Sequence, residues 1–393
     1  MIDAVIIFCA GVIGYTYIGY PILLWLLNRL GVAGDTQTSF EDRWPSATLV
    51  IPVHNGETVL RQKLINCDAL QYNGDLSILF VLDGCSDGSE SVLREGIANE
   101  LCRWPVSIYD SGTRVGKETA LRQALGDVKT EVLVFSDADA DFSPSTVAEL
   151  VGPLANPKIG VCCGRETHVS AAGGGAGEGE GLFYRYENQI KKWQIPICSM
   201  TYVQGGVFSI KRELFPERIK PGCTQDGVIA FETVLAGQAV RFVPTAVSTE
   251  PYKITVGQDF ARRVRTVCRA FFAVLCYSKL FFLPRTLWYG FHLMSHRVLR
   301  WFFIPLFVIM LAAAIVDVFN HPILWVLIAA QIGFVMLAVI GWFNESKGRR
   351  MKLPYFAYYF VILHTAAFIA VIKTFLGHRV VTWQPTETLP ENG

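Results

Sequence analysis

The stretch Glu131-Val-Leu-Val-Phe-Ser-Asp-Ala-Asp-Ala-Asp141 constrains this chain most. Val132 to Phe135 is a short apolar run rich in β-branched residues with polar neighbours, the pattern of a strand covered on both faces. In open α/β sheets the ligand sits beyond the carboxyl ends of the strands. Asp137 and Asp139 are therefore expected to point into a cleft. Two carboxylates at i and i+2 suit a divalent cation and a sugar-phosphate chelated to it. The same acids also occur in ordinary loops after strands, so the rest of the chain has to decide.

Composition sets where such a domain sits. Of 393 residues, 51% are hydrophobic and 18% charged, and mean hydropathy is +0.34. The charge is concentrated in the middle and the ends are apolar, which predicts a globular domain held between membrane segments. A net charge of +1 argues against a nucleic-acid-binding surface. The ten cysteines lack C-x-x-C or framework spacing, so all are expected as thiols in a reducing compartment. Val5 to Leu27 is long enough to span a membrane. Asp3 precedes it and Arg29 and Arg43 follow, which by the positive-inside rule predicts an outside N-terminus and a cytoplasmic domain.

Four β-α units are expected next, implying a mainly parallel sheet. Ala47 to Val53 reads as the first strand, with Pro52 and Asn55 at its end. Leu76 to Leu82 is the second, ending in Asp83-Gly-Cys-Ser-Asp-Gly-Ser89. In that loop Asp87 and Ser89 also suit an Asx turn and a helix cap, which leaves Asp83 as the stronger ligand. Val106 to Tyr109 is the third, followed by Gly112-Thr-Arg-Val-Gly-Lys-Glu118. This is not a P-loop: its glycines are one residue too close, and Glu118 stands where Ser or Thr would meet magnesium. Lys117, at a helix start, can still neutralise a phosphate. The stretch opened with above supplies the fourth strand.

That series, Val-Ile-Pro-Val-His-Asn55, Asp83 to Ser89, Gly116-Lys117 and Asp137-Ala-Asp139, resembles the family 2 glycosyltransferases of the GT-A fold, a Rossmann-like α/β architecture. The resemblance implies a nucleotide-sugar donor, most often a UDP-sugar. Asp83 would recognise the base, Lys117 and Asp137 would lie by the nucleotide and sugar, and Asp139 would bind Mg²⁺ or Mn²⁺. Asp141 offers a second D-x-D register. Phe183-Tyr-Arg-Tyr-Glu187 and the Gly205-Gly206 turn resemble the family's acceptor region, where glycines permit close approach. Cys223-Thr-Gln-Asp-Gly227 resembles its T-E-D element, with Gln225 in place of Glu and Asp226 as general base. Gln258 to Arg269 sits where the family carries Q-x-x-R-W. Arg262 and Thr266 replace Gln and Trp, while Arg265 keeps the arginine that can hold the departing diphosphate. The missing Trp argues against processive synthesis.

The other arginines of that stretch are expected on anionic lipid head groups. Ala171 to Gly181 reads as a flexible loop. His292 and His296, at i and i+4, lack the Glu of H-E-x-x-H, so a metal pair is disfavoured. The expected organisation is an N-terminal transmembrane helix (1–29), a cytosolic GT-A domain (45–256), interfacial helices (257–297), three transmembrane helices (298–378) and a tail (379–393). Lys347, Arg349, Arg350 and Lys352 mark a cytoplasmic loop, and Trp383-Gln-Pro-Thr resembles a terminal motif of membrane transferases. The expected activity is inverting transfer from a nucleotide-sugar to a lipid-linked or polysaccharide acceptor at the inner membrane, in contact with membrane lipids and without nucleic acid. A processive polysaccharide synthase, a non-catalytic nucleotide-sugar-binding protein and a transporter are the alternatives; few intramembrane charges disfavour the last.

Overall fold

The computed structural model describes residues 2–31, 44–170, 176–252, 256–347, 349 and 351–379. Eight strands form one sheet: β1 (Ala47–Val53), β2 (Leu76–Leu82), β3 (Val106–Asp110), β4 (Val132–Ser136), β5 (Asp141–Phe142), β6 (Ile159–Ser170), β7 (Val207–Lys211) and β8 (Ala239–Tyr252). Their order is β3-β2-β1-β4-β7-β6-β8-β5. The pairs β3–β2, β2–β1, β1–β4 and β6–β8 are parallel. β7 runs antiparallel to both β4 and β6, and β5 antiparallel to β8. The sheet is thus Rossmann-like and mainly parallel, and all four expected β-α units are present.

Strand alternation divides the core. On β1, Leu49, Ile51 and Val53 pack with Leu60, Leu64, Phe80 and Val134 on one face, under the helices Glu57–Asp68 and Ser89–Ala98. Val50 points the other way, as period-two geometry requires, and joins Val81, Phe135, Leu121 and Phe231. Phe135 stacks on Phe208 across β4 and β7, with ring centroids 4.6 Å apart. This second cluster does not stop at the domain edge. It continues through Ala270, Phe271 and Val274 into Tyr289, Leu293 and Trp301, so one face of the stretch expected as interfacial helices is buried against the α/β domain.

Among the described residues, three helices are long and apolar enough to cross a membrane: Ile2–Arg29, Leu324–Ser346 and Lys352–Phe375. The pair Pro284–Trp301 and Phe303–Asp317, bent by 62°, makes a fourth when counted as one broken span, and it begins before residue 298, inside the stretch expected as interfacial. Each of the first and fourth contains a π-helical turn, Tyr15–Gly19 and Met294–Val298, and Tyr15 and Ser295 join them through their hydroxyls at 2.8 Å. The helix Ala176–Gln194 begins inside the glycine-rich stretch, so the expected loop is shorter than its composition suggests; residues 171–175 lie outside the described residues. So do Arg350 and the Trp383-Gln-Pro-Thr motif. All ten cysteines are free thiols.

Candidate active site

The strand ends meet at a cavity of about 1030 Å³. β4 delivers Asp137 to it, directly after Ser136. The turn Asp137–Ala140 is held from below by Lys63, whose buried ammonium donates to Ser136 Oγ at 2.6 Å and to the Ala140 carbonyl. Nothing in the sequence pattern singled out that lysine, because it sits in an ordinary amphipathic helix.

Lys117 opens the helix Lys117–Ala124, and its Nζ donates to Asp137 Oδ1 at 2.9 Å. Burial works against the ammonium, but the Asp137 charge and hydrogen bond outweigh it and raise its pKa. In return the Lys117 charge, opposed by burial, holds the Asp137 carboxyl below its ordinary range.

Asp226 enters from a different element. Thr224 takes the N-cap position of the helix Gln225–Leu235, without a side-chain capping bond. Asp226 therefore does not cap the helix and its carboxylate is left for the cavity. Burial is the main cause that raises its pKa to about 6; the Lys117 charge pulls it down and that of Asp137 pushes it up.

Gly205 and Gly206 form the floor, just before β7. A Cβ on Gly205 would lie 3.0 Å from Asp226 Oδ1. One on Gly206 would lie 2.8 Å from Glu250 Oε1, 3.0 Å from Asp137 Oδ2 and 3.5 Å from Glu166 Oε1. The sequence assigned these glycines to acceptor approach; what they visibly make room for is the site's own carboxylates. Glu166 on β6 and Glu250 on β8 were missed. Glu166 accepts from Gln204 Nε2 at 3.1 Å. Burial, then the neighbouring Glu166, Asp137 and Asp139 charges, lift Glu250 to about 9, and its buried Oε1 has no hydrogen-bond partner.

Residues 48–214 match the model of Glycosyl transferase family 2. The chain carries a family 2 glycosyltransferase domain. Probable glycosyltransferase YdaM of Bacillus subtilis (strain 168) is 26% identical over 224 residues, 52% of this chain and 50% of that protein. The chain thus spans about half the length of this curated relative. Mannosyltransferase PcManGT from Pyrobaculum calidifontis, solved with GDP-Man and Mn²⁺, is 18% identical. It covers 96% of this chain and 99% of that one at a TM-score of 0.70, a likeness of fold that includes the helical segments.

Within the family 2 domain, the remaining expected residues separate into two groups. Arg265, Gln225, Gly205 and Gly206 line the cavity with Asp137, Lys117 and Asp226. Pro52, Asn55, Asp83 and Asp139 do not. Pro52 pairs with Val81 inside the sheet. Asn55 Oδ1 accepts from the Ser86 N–H at 2.9 Å and fixes the loop after β2. Asp83 is buried behind the loop 114–116: its Oδ1 accepts from the Val115 and Gly116 N–H groups at 2.8 and 3.0 Å, while Oδ2 has no partner. Asp87 Oδ1 accepts from the Ser89 N–H at 3.1 Å, the expected Asx turn; the helix N-cap is Gly88, without a side-chain capping bond, and Asp87 and Ser89 instead accept from the Glu57 and Gly56 N–H groups. Asp139 and Asp141 are exposed.

The basic helix Val256–Cys276 closes the cavity. Asp259 pairs with Arg262 and Arg263 at 3.0 and 2.7 Å, and Arg269 with Glu118 and the Cys223 carbonyl. These arginines were expected on lipid head groups. Asp259 is nearly fully buried and draws Arg262 and Arg263 toward the domain, where they line the cavity. His292 and His296 are not a metal pair: His292 Nδ1 meets the Tyr20 hydroxyl at 2.7 Å and His296 Nε2 meets Glu187 at 3.1 Å.

The donor set around Gly206 is all carboxylate oxygen, with one buried oxygen unpartnered and mutual repulsion to relieve. Hard oxygens in that number suit Mg²⁺ or Mn²⁺ rather than a softer metal.

Proposed function

We propose that this protein is an inverting glycosyltransferase that moves a sugar from a nucleoside-diphosphate sugar to a lipid-linked or polysaccharide acceptor at the inner membrane, with its catalytic domain on the cytoplasmic side. The observation that carries this reading is Asp226. It is a carboxylate raised to about 6, on the wall of a cavity where Asp137 is tied to Lys117, Glu118 to Arg269, and Glu166 and Glu250 crowd over Gly206. A base with that pKa is ionised at neutral pH yet basic enough to take the acceptor's hydroxyl proton as the oxygen attacks C1.

The base of the nucleotide is taken by Asp83, whose Oδ2 is free to accept an N–H, and the loop 114–116 that Asp83 organises covers it. Asp137, Asp139 and Glu250 would hold Mg²⁺ or Mn²⁺, which when bound neutralises the donor diphosphate. Lys117 and Arg265 meet the negative charge that grows there as the sugar leaves. Thr266 lines the cavity where processive relatives place Trp, which supports addition of single sugars.

The test is a panel of radiolabelled UDP-sugars and GDP-mannose offered to membranes containing the full chain, with Asp226→Asn beside it. Transfer of one donor's label to lipid-extractable or polymer material is expected. Asp226→Asn should keep donor binding and lose roughly 10²–10⁴-fold in rate. Ordinary turnover by that variant sinks the assignment.

A further inference from the structure

The basic helix Val256–Cys276 meets the turn before Asp226 along one line of side chains. Arg269, Phe272 and Cys276 stand at i, i+3 and i+7, so they share a face of that helix. Arg269 Nε and Nη2 donate to the Cys223 carbonyl at 3.2 and 2.8 Å. Phe272 lies beside Gly222, its Cδ1 3.3 Å from where a Cβ there would fall. Cys276 completes the line, and the Cys223 thiol hydrogen-bonds its sulfur. One residue further, the Tyr277 hydroxyl donates at 2.7 Å to Glu232 Oε1, on the helix that carries Asp226. The two thiols are thus held together from both sides, by Arg269 and by Tyr277.

The sulfurs differ in access. Cys223 is fully buried and Cys276 half-buried. Burial, then the adjacent Cys276, lifts the Cys223 thiol to about 12, so it keeps its proton at neutral pH. The attacking form in thiol–disulfide exchange is the thiolate. Exchange with an outside disulfide therefore begins at Cys276, and Cys223 completes it. Both residues border the site. Thr224, Gln225 and Asp226, which follow Cys223, line the cavity, and so do Arg262, Arg263, Arg265 and Arg269 of the helix that ends at Cys276.

We propose that Cys223 and Cys276 form a reversible disulfide that ties the basic helix to the turn before Asp226 and so slows transfer. The effect on activity rests on the transferase reading above; the bond itself does not. The oxidant is a small-molecule disulfide, RSSR. The Cys276 sulfur attacks it, forming the mixed disulfide Cys276–S–SR and releasing one RSH. The Cys223 sulfur then attacks the Cys276 sulfur, and its proton leaves with the second RSH. Two protein thiols are oxidised and one RSSR is reduced to two RSH. The new bond fixes the basic wall of the cavity against the wall that bears Asp226, which slows donor entry and nucleotide release. In reducing surroundings the pair stays as the free thiols of this structure.

The test uses the full chain in lipid nanodiscs, incubated with oxidised glutathione, alkylated and digested with trypsin. A peptide linked through Cys223 and Cys276 is expected, and dithiothreitol should remove it. Transfer from the donor that the reduced protein uses should fall roughly 10-fold or more on oxidation and return with dithiothreitol. Cys276→Ser should keep the reduced wild-type rate and be unaffected by oxidised glutathione. Cys223→Ser should stop at the first step, carrying one glutathione on Cys276. Absence of the linked peptide in the wild type overturns the inference, and so does a linked protein that transfers at the reduced rate. An equal loss on oxidation in Cys276→Ser assigns the effect to another cysteine and overturns it too. If the reduced wild type turns over no donor, the transferase reading fails and the regulatory role with it, while the linked peptide still reports the bond.

Discussion

Lys117 Nζ and Asp137 Oδ1 stand 2.9 Å apart, and the Asp137 charge of that pair acts on Asp226, Glu166 and Glu250. The Lys117 charge lowers the pKa of Asp226. Lys117→Ala should therefore move the acidic limb of the pH–rate profile upward from about 6 and weaken donor binding. A profile unmoved by the substitution would show that Lys117 does not reach Asp226 electrostatically.

The wild-type pH profile has a definite sign. Asp226, as the proposed base, works only when ionised, so transfer should rise as pH passes upward through about 6 and flatten above 7. Initial rates at saturating donor between pH 5 and 8 check this. In Asp226→Asn that limb should vanish along with most of the rate.

Removal of divalent cations should make stability pH-dependent. The folded chain keeps a proton on Glu250 up to about 9, whereas an unfolded glutamate releases it near its ordinary value. Between those limits the folded state binds more protons, so stability falls as pH rises. With EDTA the melting temperature should drop from pH 5 to pH 8. Added Mn²⁺ should raise it more at pH 8, because metal binding requires deprotonated ligands.

Gly206→Ala should separate site from fold. The new methyl would meet Glu250 and Asp137 oxygens at 2.8 and 3.0 Å, displacing them rather than backbone. The expected result is a large loss of the Mn²⁺-dependent rise in melting temperature, with the melting temperature in EDTA changed little.

Gly84→Ala should instead strike the fold. Gly84 has φ +57°, and its Cβ would fall 2.2 Å from the Arg114 backbone nitrogen. Positive φ alone costs about 1–3 kcal/mol for other residues, and the clash with backbone adds to it. Denaturant titration of the full chain should show the drop, with weaker nucleotide binding because the loop 114–116 can no longer sit against Asp83.

The first four β-α units were legible because each is local: a short apolar run, a turn, an amphipathic helix. Asp137, Lys117 and Asp226 were legible because they stand at such boundaries in a recognisable order. Glu166 and Glu250 were not, because each lies within a long strand of β6 or β8, and only the pairing of those strands brings them to Gly206. Lys63 was hidden for the same reason: its role depends on which loop lies over it. The arginines of Val256–Cys276 were misplaced because a basic amphipathic face reads the same whether it meets lipid or a pocket. The partner that decides it, Asp259, sits inside the same stretch and looks unremarkable until its burial is seen.

The reversal of β7 has a geometric consequence. Because that strand runs against β4, its beginning lies beside the end of β4, and Val207 faces Ser136 across the ladder. Two chain segments about seventy residues apart thus arrive at one corner from opposite headings. The opposite corner, where Arg212 N–H meets the Glu131 carbonyl at 2.9 Å, leads within three residues to Phe215, Pro216 and Glu217, which line the cavity. Sequence inserted directly after β7 would therefore be felt at the cavity wall.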